Sequence, residues 1–490
     1  MEWLDMIIAT LGSTFTFVVA FLAIAMPIMA TLHVLMTSDE PRAAIAWFGF
    51  VWFVPILGVA LYLLFGIRRI ERKAKRARQT RGMQARAGLL HKPAGQELSI
   101  IRPKAPNRWR LHSALAGRVS GHSLTSGNHI TSLEGGRPAY DAMVEAINGA
   151  KTSVALTTYI FQADQAGRRV IKALTRAHER GVEVRVLVDA VGNWYGLKPV
   201  SGILRRNGIP VASFNPPSLS WRLTVFNLRT HRKILVVDGQ TGFAGGMNIR
   251  KSHLADDGGL PQVRDTHFKL EGPVVAQLME AFSDDWIFST GEELMGPLWF
   301  PELYANPVGA VARAIADGPD EAEEKTRLIL TSAIESARYS VVVQTPYFLP
   351  SSILKAALRQ AALRGVRVDI LVPEHSNLRF VDMASKVNFP EFLKAGCHIH
   401  YGAAPFDHSK LIVVDKMWAM FGSSNFDARS LRLNFEFNVE IYDDVAADGI
   451  AERISKKIAS ARAVTIEEIN QRSFLGRMLN KFCWLATPYL

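Results

Sequence analysis

Histidine, lysine, aspartate, glycine and asparagine recur twice in this chain at identical offsets. The first copy is His231-Arg-Lys233-Ile-Leu-Val-Val-Asp238 followed by Gly245-Gly246-Met247-Asn248, and the second is His408-Ser-Lys410-Leu-Ile-Val-Val-Asp415 followed by Gly422-Ser423-Ser424-Asn425. A lone His-x-Lys carries little information in a chain with thirteen histidines, whereas five positions matched twice mark a duplicated site. An imidazole with an ordinary pKa of about 6.5 can attack as a nucleophile or exchange a proton near neutrality. An ammonium and a carboxamide beside it can hold an anionic tetrahedral group. If the two copies converge on one pocket, they compose a phosphoryl-transfer site in which one histidine attacks and the other serves as acid and base. That chemistry needs no metal and no organic cofactor, and none is expected.

The elements that must hold these groups are legible as well. Ile234-Leu-Val-Val237 and Leu411-Ile-Val-Val414 are short β-branched apolar runs of the kind buried in a sheet. Side chains alternate along extended backbone, so His231 and Lys233 share one face, as do His408 and Lys410. Asn248 and Asn425 follow from the next turn, with Ser423 beside the second asparagine as a further phosphate-binding hydroxyl. Asp238 and Asp415 complete the motifs but lie past the apolar runs, where a structural role is expected of them.

The duplication extends over whole domains. Ser153-Val-Ala-Leu-Thr-Thr158-Tyr159-Ile-Phe161 parallels Ser340-Val-Val-Val-Gln-Thr345-Pro-Tyr347-Phe348, and each stretch is followed by a helical period. Then come Arg180-Gly181 and Arg364-Gly365, each opening another apolar run, with the glycine where a helix cap is expected. Strand, helix, strand at this spacing predicts an α/β sheet in each half, with helices leading in around residues 140–148 and 323–335. The expected domains are residues 126–304 and 305–490, facing each other across a pseudo-twofold axis.

Residues 6–36 and 43–67 contain no Asp, Glu, Lys or Arg, and both exceed the roughly 20 apolar residues that span a bilayer. They predict a transmembrane hairpin over residues 1–67. The start, Met1-Glu-Trp-Leu-Asp5, is acidic where a cleaved signal peptide would be basic. Residues 68–86, in the lead-in segment 68–125, hold nine Lys/Arg against the single Glu71, most of the chain's net charge of +12. Positive charge beside a membrane span places it, and everything after it, in the cytoplasm, and it attracts anionic lipid. A basic balance tied to a membrane anchor argues against nucleic acid as the partner. Phe474-Leu-Gly-Arg-Met-Leu-Asn-Lys-Phe-Cys-Trp-Leu485 reads as a helix that either rests on the bilayer or packs on the catalytic body. Two cysteines, Cys397 and Cys483, make neither a disulfide framework nor a zinc site.

With both motifs, the hairpin and the basic segment together, the chain resembles the bacterial cardiolipin synthases of the phospholipase D superfamily. The resemblance includes Pro41-Arg-Ala-Ala-Ile-Ala-Trp47, Asn227-Leu-Arg-Thr-His231, Arg264-Asp-Thr-His267, Asp285-Trp286 and Thr345-Pro-Tyr-Phe-Leu-Pro350. It implies two phospholipase D-like α/β halves and a bacterial inner-membrane enzyme. It also implies transfer of a phosphatidyl group from one phosphatidylglycerol to another through a phosphatidyl-histidine. On that resemblance His231 is the nucleophile and His408 the acid/base, although the repeat leaves the reverse open. Lys233, Lys410, Asn248 and Asn425 would bind the phosphate. Asp265 and Glu436 would orient the histidines that precede them. Gly246 stands where the second copy has Ser423, so one hydroxyl is missing on that side, with activity expected to be intact. Alternatives are a phospholipase D that uses water, transfer to another alcohol, a nuclease, and an inactive lipid-binding scaffold; the presence of both histidines and both lysines opposes the last.

Overall fold

The computed structural model describes residues 21, 23–37, 41–63, 107–195, 199–215, 229–254, 263–318, 324–485 and 487. Two compact units are described, residues 21–63 and residues 107–487.

In the amino-terminal unit residues 23–37 are helical, followed by α1 (Pro41–Phe53) and α2 (Pro55–Leu61). The run at 43–67 is therefore not one continuous helix. Pro55 has no N–H and pushes the residue before it out of the helical region, and Val54 sits at φ −136° and ψ 73°. Among the described residues no helix is long and apolar enough to cross a membrane. Residues 6–20 of the first expected span, residues 64–67 of the second and the basic segment 68–86 lie outside the described residues. The unit is nonetheless paired internally. Val34, Val51 and Val59 are buried together, His33 Nδ1 lies 2.6 Å from the Tyr62 hydroxyl, and Trp52 Nε1 donates to Thr31 Oγ1 at 3.0 Å.

The larger unit holds a 15-stranded mixed sheet with helices on both faces and a separate 2-stranded parallel sheet. Its first eight strands are β1 (Thr125–Glu134), β2 (Ser153–Thr158), β3 (Glu183–Asp189), β4 (Val211–Phe214), β5 (Ile234–Val237), β6 (Thr241–Gly245), β7 (Val263–Arg264) and β8 (Thr266–Glu271). The remainder are β9 (Ala310–Asp317), β10 (Ser340–Gln344), β11 (Arg367–Pro373), β12 (His398–Gly402), β13 (Phe406–Asp407), β14 (Leu411–Val414), β15 (Trp418–Gly422), β16 (Glu436–Tyr442) and β17 (Arg462–Ala463). Outward from its first strand, the first half runs β1-β8-β6-β5-β2-β3-β4, and the second runs β9-β16-β15-β14-β10-β11-β12 with β17 added at the edge. The two orders correspond strand for strand. They join where β1 pairs antiparallel with β9, so the halves meet edge to edge in a single sheet.

Within each half the parallel neighbours are those that the strand-helix-strand spacing required. β2 pairs parallel with β3, and β10 with β11, each through a crossover helix: α5 (Gln165–Glu179) and α8 (Ser352–Leu363). Both helices stop at a glycine. Gly181 and Gly365 take φ of 86° and 89°, and the next N–H reaches back to Ala177 O and Ala361 O at 3.1 and 3.0 Å. That left-handed cap turns the chain into the following strand. The leading helices are α4 (Gly136–Gly149) and α7 (Lys325–Ser336). β2 and β10 stop at Thr158 and Gln344, short of Phe161 and Phe348, because the chain there leaves the sheet for the site.

Three cores follow from this layering. One lies under α4 and α5, and another under α7 and α8. The third covers the opposite face across the junction and is roofed by α6 (Val274–Thr290) and α10 (Asp444–Ala459). Before β1, α3 (Asn107–Ser120) packs on the second half, where Trp109 stacks on Trp418 at 6.2 Å. Residues 107–124 of the lead-in are thus part of the folded body.

Candidate active site

Each motif begins before its strand. His231 and Lys233 precede β5, and His408 and Lys410 precede β14, in extended backbone rather than in the sheet ladder. What fixes that backbone is the other half of the molecule. The segment before His231 bridges in parallel to Phe435, and His231 N–H donates to Phe435 O at 2.8 Å. The segment before His408 forms the parallel pair β13–β7, and His408 N–H donates to Arg264 O at 2.7 Å. Each histidine is therefore clamped beside the residue that precedes the carboxylate of the opposite half.

This crossing corrects the carboxylate assignment. Asp265 does not orient His231, nor Glu436 His408. Glu436 Oε2 lies 3.0 Å from His231 Nδ1, and Asp265 Oδ2 lies 2.9 Å from His408 Nδ1. Chain order pairs each carboxylate with the histidine before it, but the parallel bridges exchange the partners. With Nδ1 committed in both rings, Nε2 is the end left to react.

Ser423 is also reassigned. Its hydroxyl, fully buried, donates to Glu436 Oε2 at 2.5 Å and accepts from Phe437 N–H at 2.9 Å, so it holds the carboxylate rather than offering itself to a phosphate. The equivalent Gly246 has the complementary reason. A Cβ there would stand 2.8 Å from both oxygens of Asp265. Serine goes with glutamate on one side, and glycine makes room for aspartate on the other.

Lys233 and Lys410 each curl toward the carbonyl of their own histidine, at 2.5 and 2.6 Å. Asn248 Oδ1 accepts from Ile160 N–H at 3.2 Å; only an oxygen can accept that proton, so the amide turns its NH2 end the other way. Asn425 is held differently, its Nδ2 donating to Ser430 Oγ at 3.1 Å. Asp238 and Asp415 lie at the far ends of β5 and β14. Asp238 accepts from the N–H groups of Lys151, Thr152 and Ser153, and Asp415 from those of Arg338, Tyr339 and Ser340. They fasten the strand ends where β2 and β10 begin. For Asp238 burial favours the neutral form, but these bonds outweigh it and lower its pKa.

The charged groups of the two copies influence one another. Burial is the largest influence on His231 and lowers its pKa; Glu436 opposes this, and Lys233 and Lys410 reinforce it. His408 is driven well below the ordinary value, by burial first and then by Lys410, Lys233, His231 and Arg250. Burial also pulls Lys233 down to about 7 and Lys410 to about 8, against the pull of Glu436 and Asp265. The carboxylates diverge. Burial is the largest influence on both, but His231 and Lys233 overcome it to lower Glu436, while Asp265 stays raised despite Lys410.

Three further groups lie outside the matched positions of the two motifs. The Tyr159 ring lies edge-on to His231 at 5.3 Å with Lys233 Nζ 5.8 Å from its centre, and Tyr347 lies edge-on to His408 at 6.3 Å. Arg232, between His231 and Lys233, points to the opposite face and is fully buried. It donates to Asp285 Oδ1 at 2.7 Å, Glu436 O at 3.1 Å and Asp317 O at 3.1 Å, tying α6, β16 and β9 together behind the site. Alternation along extended backbone, which puts Arg232 on the other face from His231 and Lys233, is the sequence signal that could have found it.

Comparison with known proteins agrees with this geometry. The family model described as cardiolipin synthase, PLD-like domain, matches residues 143–286 and 330–459, one match to each half. A phospholipase D-nuclease N-terminal model matches residues 25–66. A cardiolipin synthase of Geobacillus thermodenitrificans is 33% identical over 93% of this chain and 90% of its own length. A cardiolipin synthase A of Pseudomonas putida is 33% identical over 94% of this chain and 95% of its own. In fold, the chain is similar to a phosphatidylserine synthase of Haemophilus influenzae, with a TM-score of 0.61 and 15% identity over 78% of this chain and 100% of that one. The duplicated motif, the crossed carboxylates and matches at this level over nearly the whole chain have one conclusion: the chain belongs to the bacterial cardiolipin synthase family of the phospholipase D superfamily.

Proposed function

We propose that the protein is a cardiolipin synthase that joins two phosphatidylglycerol molecules and releases glycerol. The observation that carries this reading is the crossed arrangement in which His231 and His408 are each backed by a carboxylate of the other half, with Lys233 and Lys410 each on the carbonyl of its own histidine. Nε2 of one histidine attacks the phosphorus. The bond from phosphorus to the departing glycerol oxygen breaks, and that oxygen takes the proton of the other histidine, leaving a phosphatidyl-histidine. The terminal hydroxyl of a second phosphatidylglycerol then attacks, the second histidine takes its proton back, and the phosphorus–nitrogen bond breaks. One phosphodiester replaces another, so no nucleotide is consumed. Lys233, Lys410 and Asn248 hold the phosphoryl oxygens as charge spreads over them, with Asn425 on the second side. A bound phosphodiester adds negative charge beside both imidazoles and raises their pKa values, which supplies the protonated form that the acid needs.

The family resemblance assigns attack to His231. One observation favours the reverse. Glu436, shifted toward its ionised form, supports a proton on His231, whereas Asp265 beside His408 is shifted toward its neutral form and supports one there less, and a neutral ring attacks. Trapping the phosphorylated residue decides between them. In the chain with His231 replaced by Ala, a phosphatidyl adduct at position 408 assigns attack to His408; an adduct at 231 in the His408→Ala chain assigns it to His231.

The proposed setting is the bacterial cytoplasmic membrane, with the hairpin of residues 1–67 crossing it and both catalytic halves, 126–304 and 305–490 about a pseudo-twofold axis, on the cytoplasmic side. Supporting this, the described helices pair His33 with the buried Tyr62 and expose Met29, Leu35, Met36, Ile45, Phe53 and Ile56 outward, an apolar exterior that suits lipid.

The deciding experiment is mass spectrometry of lipids after incubating the solubilised protein with phosphatidylglycerol alone. Cardiolipin with an equal amount of free glycerol is expected. Phosphatidic acid without cardiolipin would mean that water is the acceptor and overturns the synthase reading.

A further inference from the structure

Helix α11 (Phe474–Leu485) is turned inside out for a helix on a water-soluble body. The side toward the protein carries Gly476, Asn480 and Cys483, the last buried against Leu349, Val381 and Ala384. The opposite side carries Phe474, Leu475, Met478, Leu479, Phe482 and Leu485, each between 52 and 76% exposed. Leu475, Met478, Leu479 and Phe482 follow the spacing that lines one side of a helix. An ordinary surface helix buries its bulky apolar stripe; this one docks through its small and amide residues and leaves the stripe outward. Arg477 and Lys481, one turn apart and both exposed, flank the stripe, and the helix contains no Asp or Glu.

Its position links it to the reacting groups. The cluster under Cys483 includes Tyr347 and Met383, and the Tyr347 ring is the one set edge-on to His408 at 6.3 Å. Helix α9 (Arg379–Ser385) lies between, its Val381 and Ala384 in the same cluster and its neighbours Leu378 and Phe380 exposed. Tyr347 therefore belongs both to the cluster under α11 and to the surroundings of the second histidine.

We propose that α11 lies in the headgroup layer of the bilayer, its apolar stripe immersed and Arg477 and Lys481 on anionic lipid phosphates, and so holds the His408 side of the site against the membrane that contains its substrate. This rests on the reading of the site as a lipid phosphatidyltransferase. An apolar stripe bordered by cations without a single anion fits an anionic bilayer surface.

The test uses the full chain reconstituted in vesicles of phosphatidylcholine and phosphatidylglycerol. Leu479→Cys carries an environment-sensitive fluorophore, which the buried Cys397 and Cys483 do not compete for. Quenching by lipid-borne nitroxide and protection from iodide are expected. Quenching by iodide alone overturns the proposal, as does protection from both quenchers that depends on protein concentration, which would seat a second copy on the stripe. The full chain with Leu475→Asp, Leu479→Asp and Phe482→Asp then separates docking from folding. Its turnover of bilayer phosphatidylglycerol should fall about tenfold, with turnover of a monomeric short-chain phosphatidylglycerol within about twofold of the parent. Equal losses on both substrates, or none on either, overturn the proposal. If the parent makes no cardiolipin from either lipid, the transferase reading fails, while the quenching result still decides the helix.

Discussion

Nδ1 of each histidine faces a carboxylate from the opposite half, and in the proposed reaction this contact fixes the ring so that Nε2 is the nitrogen offered to the phosphorus. Replacing Glu436 by Gln or Asp265 by Asn should lower kcat by about 10²-fold or more with a small change in KM, since the partner acts on the ring rather than on the lipid. A KM effect larger than the kcat effect would contradict that role. Gly246 and Ser423 make a second, asymmetric test. Gly246→Ala forces a methyl against Asp265 and should cost activity, while Ser423→Ala removes one of the bonds to Glu436 and should cost about tenfold. Equal tolerance at both positions would show that neither carboxylate is held as described. The lysines set the alkaline side of the pH profile. With Lys233 near 7 and Lys410 near 8, the ammonium charges are present below those values and lost as pH rises through them. kcat/KM, which reports the free enzyme, should fall as pH rises through about 7 to 8, and Lys410→Arg should move the upper part of that limb upward; an unmoved limb assigns it elsewhere.

At the scale of elements, two buried ion pairs join parts of the fold that are distant in sequence. Arg232 holds α6 through Asp285 while also meeting backbone carbonyls of β16 and β9. Arg232→Met should lower stability by roughly 3–5 kcal/mol, because Asp285 keeps its buried charge without this partner; a melting temperature within a degree or two of the parent would refute it. On the other half, Glu440 binds Arg313 at 2.6 Å and Trp418 at 2.9 Å and lies 3.5 Å from His112 of α3. Burial alone would raise its pKa, but Arg313 and His112 bring it to about 2, below the ordinary carboxylate. A depressed folded-state pKa contributes stability that is complete above the ordinary carboxylate range and is lost as pH falls toward that lower value. Glu440→Gln should therefore destabilise the protein at neutral pH, with the difference from the parent shrinking as pH falls toward about 2. A difference that stays constant with pH would exclude this linkage.

Across the whole molecule, the β1–β9 junction and the core roofed by α6 and α10 make the halves one folding unit. The site is assembled from both: each half supplies one histidine and the other half's carboxylate. Two chains that each lack a different histidine, His231→Ala and His408→Ala, should therefore stay inactive when mixed, because no folded chain contains both rings. Recovered cardiolipin synthesis on mixing would mean that the pocket forms between chains. The same architecture puts the histidines and lysines at the opposite ends of β5 and β14 from Asp238 and Asp415, so the motif is divided into a reacting end and an anchoring end.

The chemistry was written in the local sequence. Residue types at fixed offsets, repeated, identify histidine-dependent phosphoryl transfer, and apolar runs with caps at Gly181 and Gly365 identify the strands and helices, because side-chain type and backbone preference are local properties. Tertiary structure alone decided which carboxylate meets which histidine, since the parallel bridges at Phe435 and Arg264 connect segments far apart in the chain. It also decided that Ser423 serves Glu436 instead of substrate, and that the halves share one sheet. The outward stripe of α11 became visible only when Gly476, Asn480 and Cys483 were seen to be the docked side: composition shows that a helix is amphipathic, but packing determines which side faces the protein.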